Sequence, residues 1–332
     1  MFDRITTSKN FIRSFNSTRL GKCKYKAEAL KFYTDWPLNL ERLRQELIND
    51  QYQVSDYTEF KVYEPKVRVI RAPKYRDKII HHAVNNVLRE YYEPKFIVHS
   101  YACIRGRGTH SAIRTLRLQA SRASKIMEDP HFIKMDISKF FYTIDHEILK
   151  TILRKKTTCE RTLALLYRII DSAGDVGLPL GNLTSQILAN IYMNELDQYA
   201  KHTLKLRYYV RYADDFFVVV DGREEAKRIK NLLGNFVTQE LNMRIAEHKC
   251  GITKVSRGVV ALGMKVYPTH VLLLGKHKRT ARKIVKKGNP ASINSWKSFA
   301  SSADCYNFMK LVGMNPIDKF AEEPLTTGEP HD

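Results

Sequence analysis

An antiparallel sheet backed by helices, an α+β fold, is the arrangement this sequence predicts. Three observations lead there. The run from Phe132 to Ile137 alternates, with Ile133, Met135 and Ile137 on one face and Lys134 and Asp136 on the other, which is strand periodicity. Two β-like runs, RYYV and FFVVV, flank Tyr212-Ala213-Asp214-Asp215 and place adjacent carboxylates at a hairpin tip. Around them the central order reads strand, helix, helix, hairpin, helix, strand.

The elements follow in order. Residues 1–60 read as helical, most clearly in LNLERLRQELIND, where Leu40, Leu43, Leu47 and Ile48 form an apolar stripe. FKVYE and VRVI then predict a hairpin around Pro65 from which Lys66 and Arg68 project. Basic side chains on such a hairpin suit a triphosphate, although edge-strand charges also serve only to prevent aggregation. A helix follows from about Asp77 to Tyr92, carrying His81 and His82 as structural residues. YACIRGRGTHSAI sets glycine beside arginine ahead of a helix near Thr109, which reads as a phosphate approach or as a plain turn. Residues 146–172 read as helical. GLPLG is a loop into an amphipathic helix with Leu183, Ile187, Leu188, Ile191 and Tyr192 on one side. Thr184, Ser185 and Gln186 in its first turn offer small polar groups to a nucleic acid or nucleotide. A helix near 223–241 and short strands in MRIAEH and GVVALGMKVYP complete the pattern.

Adjacent acids repel and cost desolvation if buried, so Asp214-Asp215 calls for a cation where the flanks are apolar. On a bare surface turn the same pair would mean little. Asp136 ends an apolar strand; it or Ser138 would serve as a helix cap, but Asp136 also pairs naturally with the hairpin acids. Three carboxylates on neighbouring strands suit two hard cations about 3.5–4 Å apart, an arrangement used for in-line phosphoryl transfer. Mg²⁺ fits those oxygens and takes further ligands from substrate.

The 332-residue chain carries 56 Lys+Arg against 35 Asp+Glu, a net charge of +21 and a pI near 9.7. Such an excess points to a polyanion, above all nucleic acid. Between Glu247 and Asp304 there is no acidic residue. Within GKHKRTARKIVKKG, Arg279, Arg282, Lys283 and Lys286 share one helical face, a phosphate-backbone contact or a solvated face. Five widely spaced cysteines without CxxC, and no HExxH, speak against a zinc site and a disulfide framework; a reducing cytoplasm is expected. No apolar run of about 20 residues appears, so no membrane partner is expected. AEEPLTTGEPHD reads as a loose tail.

The ordered segments resemble reverse transcriptases over roughly residues 10 to 312. IKMDISKFFYTID is similar to their first catalytic palm motif, RYADDFFVVV to their YxDD motif, ALGMKVYP to the primer grip and KVRVIRAP to the fingers motif. Within that superfamily Leu180-Gly181-Asn182-Leu183-Thr184-Ser185-Gln186 resembles the signature of diversity-generating retroelement enzymes, where intron and retroviral enzymes usually carry Gln-Gly and Ser-Pro. FIRSFNSTRLGK, FKVYEPK and YACIRGRGTH resemble the same group.

The resemblance implies a right-hand polymerase with an antiparallel palm sheet. Residues 1–130 would form the N-terminal extension and fingers with part of the palm connection. Residues 131–268 would form the palm, with a fingers-related segment within 146–185. A short basic helical thumb would span 269–320 and a flexible tail 321–332. Asp136 and Asp214 would be the principal ligands of two Mg²⁺ ions, with Asp215 and the Ile137 carbonyl assisting. Lys66 and Arg68 would contact the triphosphate. Phe141 would be the gate against a ribose 2′-hydroxyl, and Lys249 would protonate pyrophosphate or contact the backbone. Leu180 stands where accurate relatives carry glutamine, and Gln186 completes the nucleotide-binding set. Arg279, Arg282, Lys283 and Lys286 would hold the RNA–cDNA hybrid.

The implied partners are a template RNA, deoxynucleoside triphosphates and a small basic oligomeric accessory variability protein. The implied outcome is cDNA that is error-prone at template adenines and diversifies a target gene. The alternatives are a defence-associated enzyme, abortive-infection or retron-like, and a non-catalytic RNA-binding module on a polymerase fold.

Overall fold

The computed structural model of the protein describes residues 1–20, 26–63 and 67–315. Lys66 and the tail at 321–332 lie outside the described residues.

Four helices open the chain: α1 (Phe2–Ile5), α2 (Ser8–Thr18), α3 (Ala27–Tyr33) and α4 (Trp36–Ile48). The Thr7 side chain caps α2 by accepting from the Asn10 N–H at 3.3 Å. The α4 stripe buries Leu40, Leu43 and Leu47, while Ile48 stays half-buried at the end. Helix stops there, short of residue 60. Strands β1 (Thr58–Val62) and β2 (Arg68–Ala72) pair antiparallel, with Val62 opposite Arg68. Helices α5 (Tyr75–Tyr92) and α6 (Thr109–Ile126) follow.

The central sheet has the order β4-β5-β3-β6, built from β3 (Pro130–Met135), β4 (Tyr208–Tyr212), β5 (Asp215–Asp221) and β6 (Gly251–Lys254). All three pairings are antiparallel. Between β3 and β4 come α7 (His146–Lys156), α8 (Glu160–Asp171) and α9 (Leu183–Gln198); α10 (Arg223–Gln239) links β5 to β6. Asp145 starts α7 by accepting from the N–H groups of Glu147 and Ile148. A three-stranded sheet, β7 (Val259–Ala261), β8 (Met264–Val266) and β9 (Val271–Leu273), leads to α11 (Gly275–Lys287), α12 (Pro290–Ala300) and α13 (Tyr306–Leu311).

Strand alternation divides the interior into two cores. Ile133, Met135 and Ile137 pack with Leu88 of α5, Ile187 and Leu188 of α9 and Ile229 of α10. Phe132, one residue out of phase, packs with Leu116 of α6, Val266 of β8 and Trp296 of α12. The α+β expectation holds.

Two local readings change. MRIAEH forms no strand: Ile245 makes one isolated bridge to Ile137, and its neighbours' N–H groups already have partners, Met243 on the Val237 carbonyl and Ala246 on the Asp136 carbonyl. Helix α9 is buried on nearly every side rather than on one stripe, because α5, α7 and α10 pack around it.

Candidate active site

Asp136 follows the last residue of β3, and Asp214 lies in the two-residue turn between β4 and β5, where Tyr212 pairs with Asp215. Ala213 closes that turn with φ +54°, a left-handed conformation uncommon for a side-chain-bearing residue. The strain is offset locally. Arg211 is wholly buried and donates to the Ala213 carbonyl at 3.1 Å, while its Nε and Nη2 bond Asp197 of α9 at 2.8 and 2.7 Å. Asn190 and Ser100 accept from the same guanidinium, and Tyr209 donates to Asp197.

The three acids form one electrostatic cluster. Burial pushes the Asp214 carboxyl above its usual range, and Asp136 adds to the rise; Lys249 and Arg68 oppose it. Asp215 is pushed up to about 7 by burial first and then by Asp136 and Asp214, against the pull of Lys134. Lys249 Nζ sits 2.5 Å from Asp136 Oδ1. Burial alone would lower the Lys249 ammonium, but the hydrogen bond to Asp136 and the attraction of all three carboxylates raise it.

The acids are not fully partnered within the chain. The buried Oδ1 of Asp215 has no hydrogen-bond partner. Unpartnered buried carboxylate oxygen beside two more acids fits divalent cations, which reverse transcriptases use. Among the described residues no group of three His, Cys, Asp or Glu side chains encloses an ion by itself. A divalent cation here would take further ligands from backbone oxygens. The Ile137 carbonyl is available for this, since the bonds flanking its bridge to Ile245 use the Asp136 carbonyl and the Ser138 N–H.

The nucleotide-side candidates gather around a second set of contacts. Arg68 begins β2 and reaches Asp214 electrostatically. The Arg71 N–H donates to the Leu180 carbonyl at 2.9 Å, and its Nη1 donates to the Ala173 carbonyl at 2.6 Å, which fastens the hairpin to the GLPLG loop. The Leu178 N–H donates to the Phe141 carbonyl at 2.7 Å, and the Phe141 ring meets Phe140 edge-on. Two glycines permit these approaches. A Cβ at Gly181 (φ +126°) would lie 2.8 Å from the Arg71 carbonyl oxygen, and one at Gly177 (φ +84°) 2.9 Å from that of Phe141. Arg68, Phe141 and Leu180 are thus held by one connected backbone framework. Gln186 lies exposed in the first turn of α9.

Other polar candidates point inward. Thr184 lies 2.7 Å from His81 Nδ1 and Ser185 donates to the Pro179 carbonyl, so neither is free for a nucleic acid. Arg107 of the glycine–arginine segment donates to the Ile97 and Ser100 carbonyls, holding a loop rather than a phosphate. On α11, Arg279, Arg282, Lys283 and Lys286 are all exposed or half-exposed, with Ala281 buried beneath them. Arg282 also lies over the Phe308 ring at 5.7 Å.

Sequence reading missed Arg211, Asp197 and Lys134. Lys134 donates to the Val260 carbonyl at 3.0 Å and faces Asp215, tying the central sheet to β7. The signal available was an arginine inside the apolar run of β4, which demands an acid somewhere in the core.

Comparison with known proteins bears on the family and the fold. The E. coli K12 protein YkfC is 27% identical over 274 residues, covering 69% of this chain and 71% of its own length. The group II intron-encoded protein LtrA of Lactococcus lactis subsp. cremoris is 28% identical over 294 residues, and the match spans 67% of this chain but 47% of LtrA. The solved telomerase of Candida albicans, in complex with a fragment of telomeric RNA, superposes with a TM-score of 0.53 at 9% identity, covering 80% of this chain and 57% of that one. That likeness shows the right-hand polymerase fold. The family model described as reverse transcriptase (RNA-dependent DNA polymerase) matches residues 61–266, a span that holds Asp136, Asp214, Asp215 and Lys249, and the chain belongs to that family.

Proposed function

We propose that the protein is an RNA-directed DNA polymerase that copies a retroelement template RNA into cDNA, with relaxed fidelity at template adenines. The observation that carries the polymerase reading is the cluster of Asp136, Asp214 and Asp215 with an unpartnered carboxylate oxygen. Two Mg²⁺ ions, held by Asp136 and Asp214 with Asp215 and the Ile137 carbonyl in support, would stabilise negative charge on the attacking and leaving oxygens. Arg68 acts on Asp214 from β2 and would bind the triphosphate. Lys249 bonds Asp136 and would turn from it to the leaving pyrophosphate as a proton donor. Phe141, fixed through its carbonyl, would bar a 2′-hydroxyl.

The finer reading, diversification of a target gene with the help of a small basic accessory protein, is supported by the resemblance of residues 180–186. Leu180 offers neither donor nor acceptor to the nascent pair, so a misfit would sacrifice less binding than against a glutamine. The template RNA and its hybrid would lie against the basic face of α11. Primer extension on an RNA template tests the polymerase reading. Asp214→Asn should lower extension at least about a hundredfold while RNA binding survives; normal extension would remove the metal assignment. Sequencing the cDNA tests the finer reading: Leu180→Gln should reduce errors opposite adenine more than opposite other bases. Equal adenine error in both proteins would place the source of infidelity elsewhere.

A further inference from the structure

The end of the central sheet farthest from Asp136 carries a second charged concavity. The six residues of β3 separate the two, roughly 20 Å of extended chain. At the Pro130 end lies a 350 Å³ pocket lined by Asp129, His131, Arg223, Lys254 and Arg257, with Ile252 and Thr253.

Backbone bonds build it. The Asp221 carboxylate accepts from the N–H groups of Glu128 and Asp129 at 3.2 and 2.7 Å, and the Gly222 N–H donates to the Asp129 carbonyl at 2.9 Å. Gly222, at φ +81°, then turns the chain so that α10 starts with Arg223 beside the strand end. His131 is buried between Val220 and Lys254 in the sheet, and its Nδ1 lies 2.7 Å from the Asp129 carbonyl oxygen. Arg257 enters from the short turn Val255–Arg257 that follows β6.

The pocket has a surplus of positive charge. Lys254 bonds Asp129 at 2.8 Å. Among the described residues Arg223 and Arg257 make no ion pair, and Glu224, next to Arg223, is bonded to Lys227 instead. Three cations thus share the lining with one carboxylate, Asp129, while the Asp221 carboxylate beside it is taken up by backbone N–H groups. Two guanidinium groups outside any ion pair, with a lysine in the same lining, match phosphate oxygens. The lining offers no exposed aromatic face for a base, so it would recognise phosphate without sequence preference.

We propose that this pocket binds a backbone phosphate of the enzyme's RNA, in a stretch outside the duplex held at the three acids. The assignment rests on the reading of the chain as an RNA-directed polymerase. It supplies a second anchor for the RNA on the far end of the same strand that carries Asp136.

The test uses the full chain with Arg223→Gln and Arg257→Gln combined, and Arg223→Lys with Arg257→Lys as the charge-conserving control. Two probes are compared: a short primer–template hybrid, and the same hybrid carrying a long structured RNA extension. Extension of the short hybrid by the wild type checks the polymerase reading separately. For the glutamine variant, kcat and KM on the short hybrid should match wild type, while affinity for the extended RNA falls about tenfold. Its salt slope for the extended RNA should drop by roughly 1.4 to 1.8 units, as expected for two phosphates. The lysine control should retain the slope. Unchanged affinity and slope for the extended RNA would overturn the proposal, as would an equal loss on the short hybrid. Thermal stabilisation by inorganic phosphate that disappears in the variant, with RNA affinity intact, would assign the pocket to a free anion and likewise overturn it.

Discussion

Arg211 and Asp197 form an ion pair with no solvent exposure on either side chain, and the same guanidinium holds the Ala213 carbonyl in the turn that carries Asp214. A buried pair of this kind contributes little net stability over an apolar pair of equal volume, but breaking it leaves one charge stranded. Its position lets it fix a left-handed alanine in the acid-bearing turn.

Two variants should separate stability from positioning. Asp197→Ala strands Arg211 and should cost about 3–5 kcal/mol in urea unfolding. Asp197→Leu with Arg211→Met should recover most of that loss yet leave primer extension impaired, since nothing then holds the Ala213 carbonyl. Full activity in the double variant would show that the turn needs no such support.

Acid sensitivity should arise from buried neutral histidines. Burial lowers His81 to about 3, and its Nε2 has no partner, so protonation inside the fold meets no counter-charge. Burial likewise lowers His99 to about 4, with Lys201 and Arg107 adding to the drop. The folded values lie below the unfolded one, so this stability is present above about pH 6.5 and is lost as pH falls toward them. For His81 the loss by pH 5 is about 2 kcal/mol. Asp215, raised to about 7, gains stability over the same interval and offsets this loss, so the check is the variant: His81→Gln should make the change in urea midpoint from pH 7 to pH 5 more favourable than in the wild type. The same change in both proteins would show that other groups set the acid limb.

Phe141→Ala should raise ribonucleotide use relative to deoxyribonucleotide by roughly ten- to a hundredfold, because the pocket loses bulk where the sugar would sit. Single-nucleotide incorporation with paired substrates measures it. An unaltered ratio would mean that the ring faces away from the sugar.

Neutralising Arg279, Arg282 and Lys286 together should weaken binding to all hybrids alike. Every phosphate left without its cation should reduce the salt slope by about 0.7 to 0.9 units. Binding titrations across salt concentrations would reveal this, and a weakening confined to particular sequences would speak against backbone binding.

Sequence alone determined the strand period at 132–137, the hairpin at 208–221, the acids beside these strands and the exposed basic face of α11. Each follows from local periodicity or adjacency, which neighbouring residues set among themselves. Tertiary structure decided the rest. Thr184 and Ser185 looked free in the first turn of a helix, yet they point into the core because α9 is enclosed by other helices. MRIAEH looked like a strand, but its N–H groups find partners in a bend beside Asp136. Lys249 reaches Asp136 across 113 positions, and Arg211 meets Asp197 only because the folded chain brings these two side chains together in the core. Which charge meets which depends on chain closure over such distances, and side-chain identity carries no record of that.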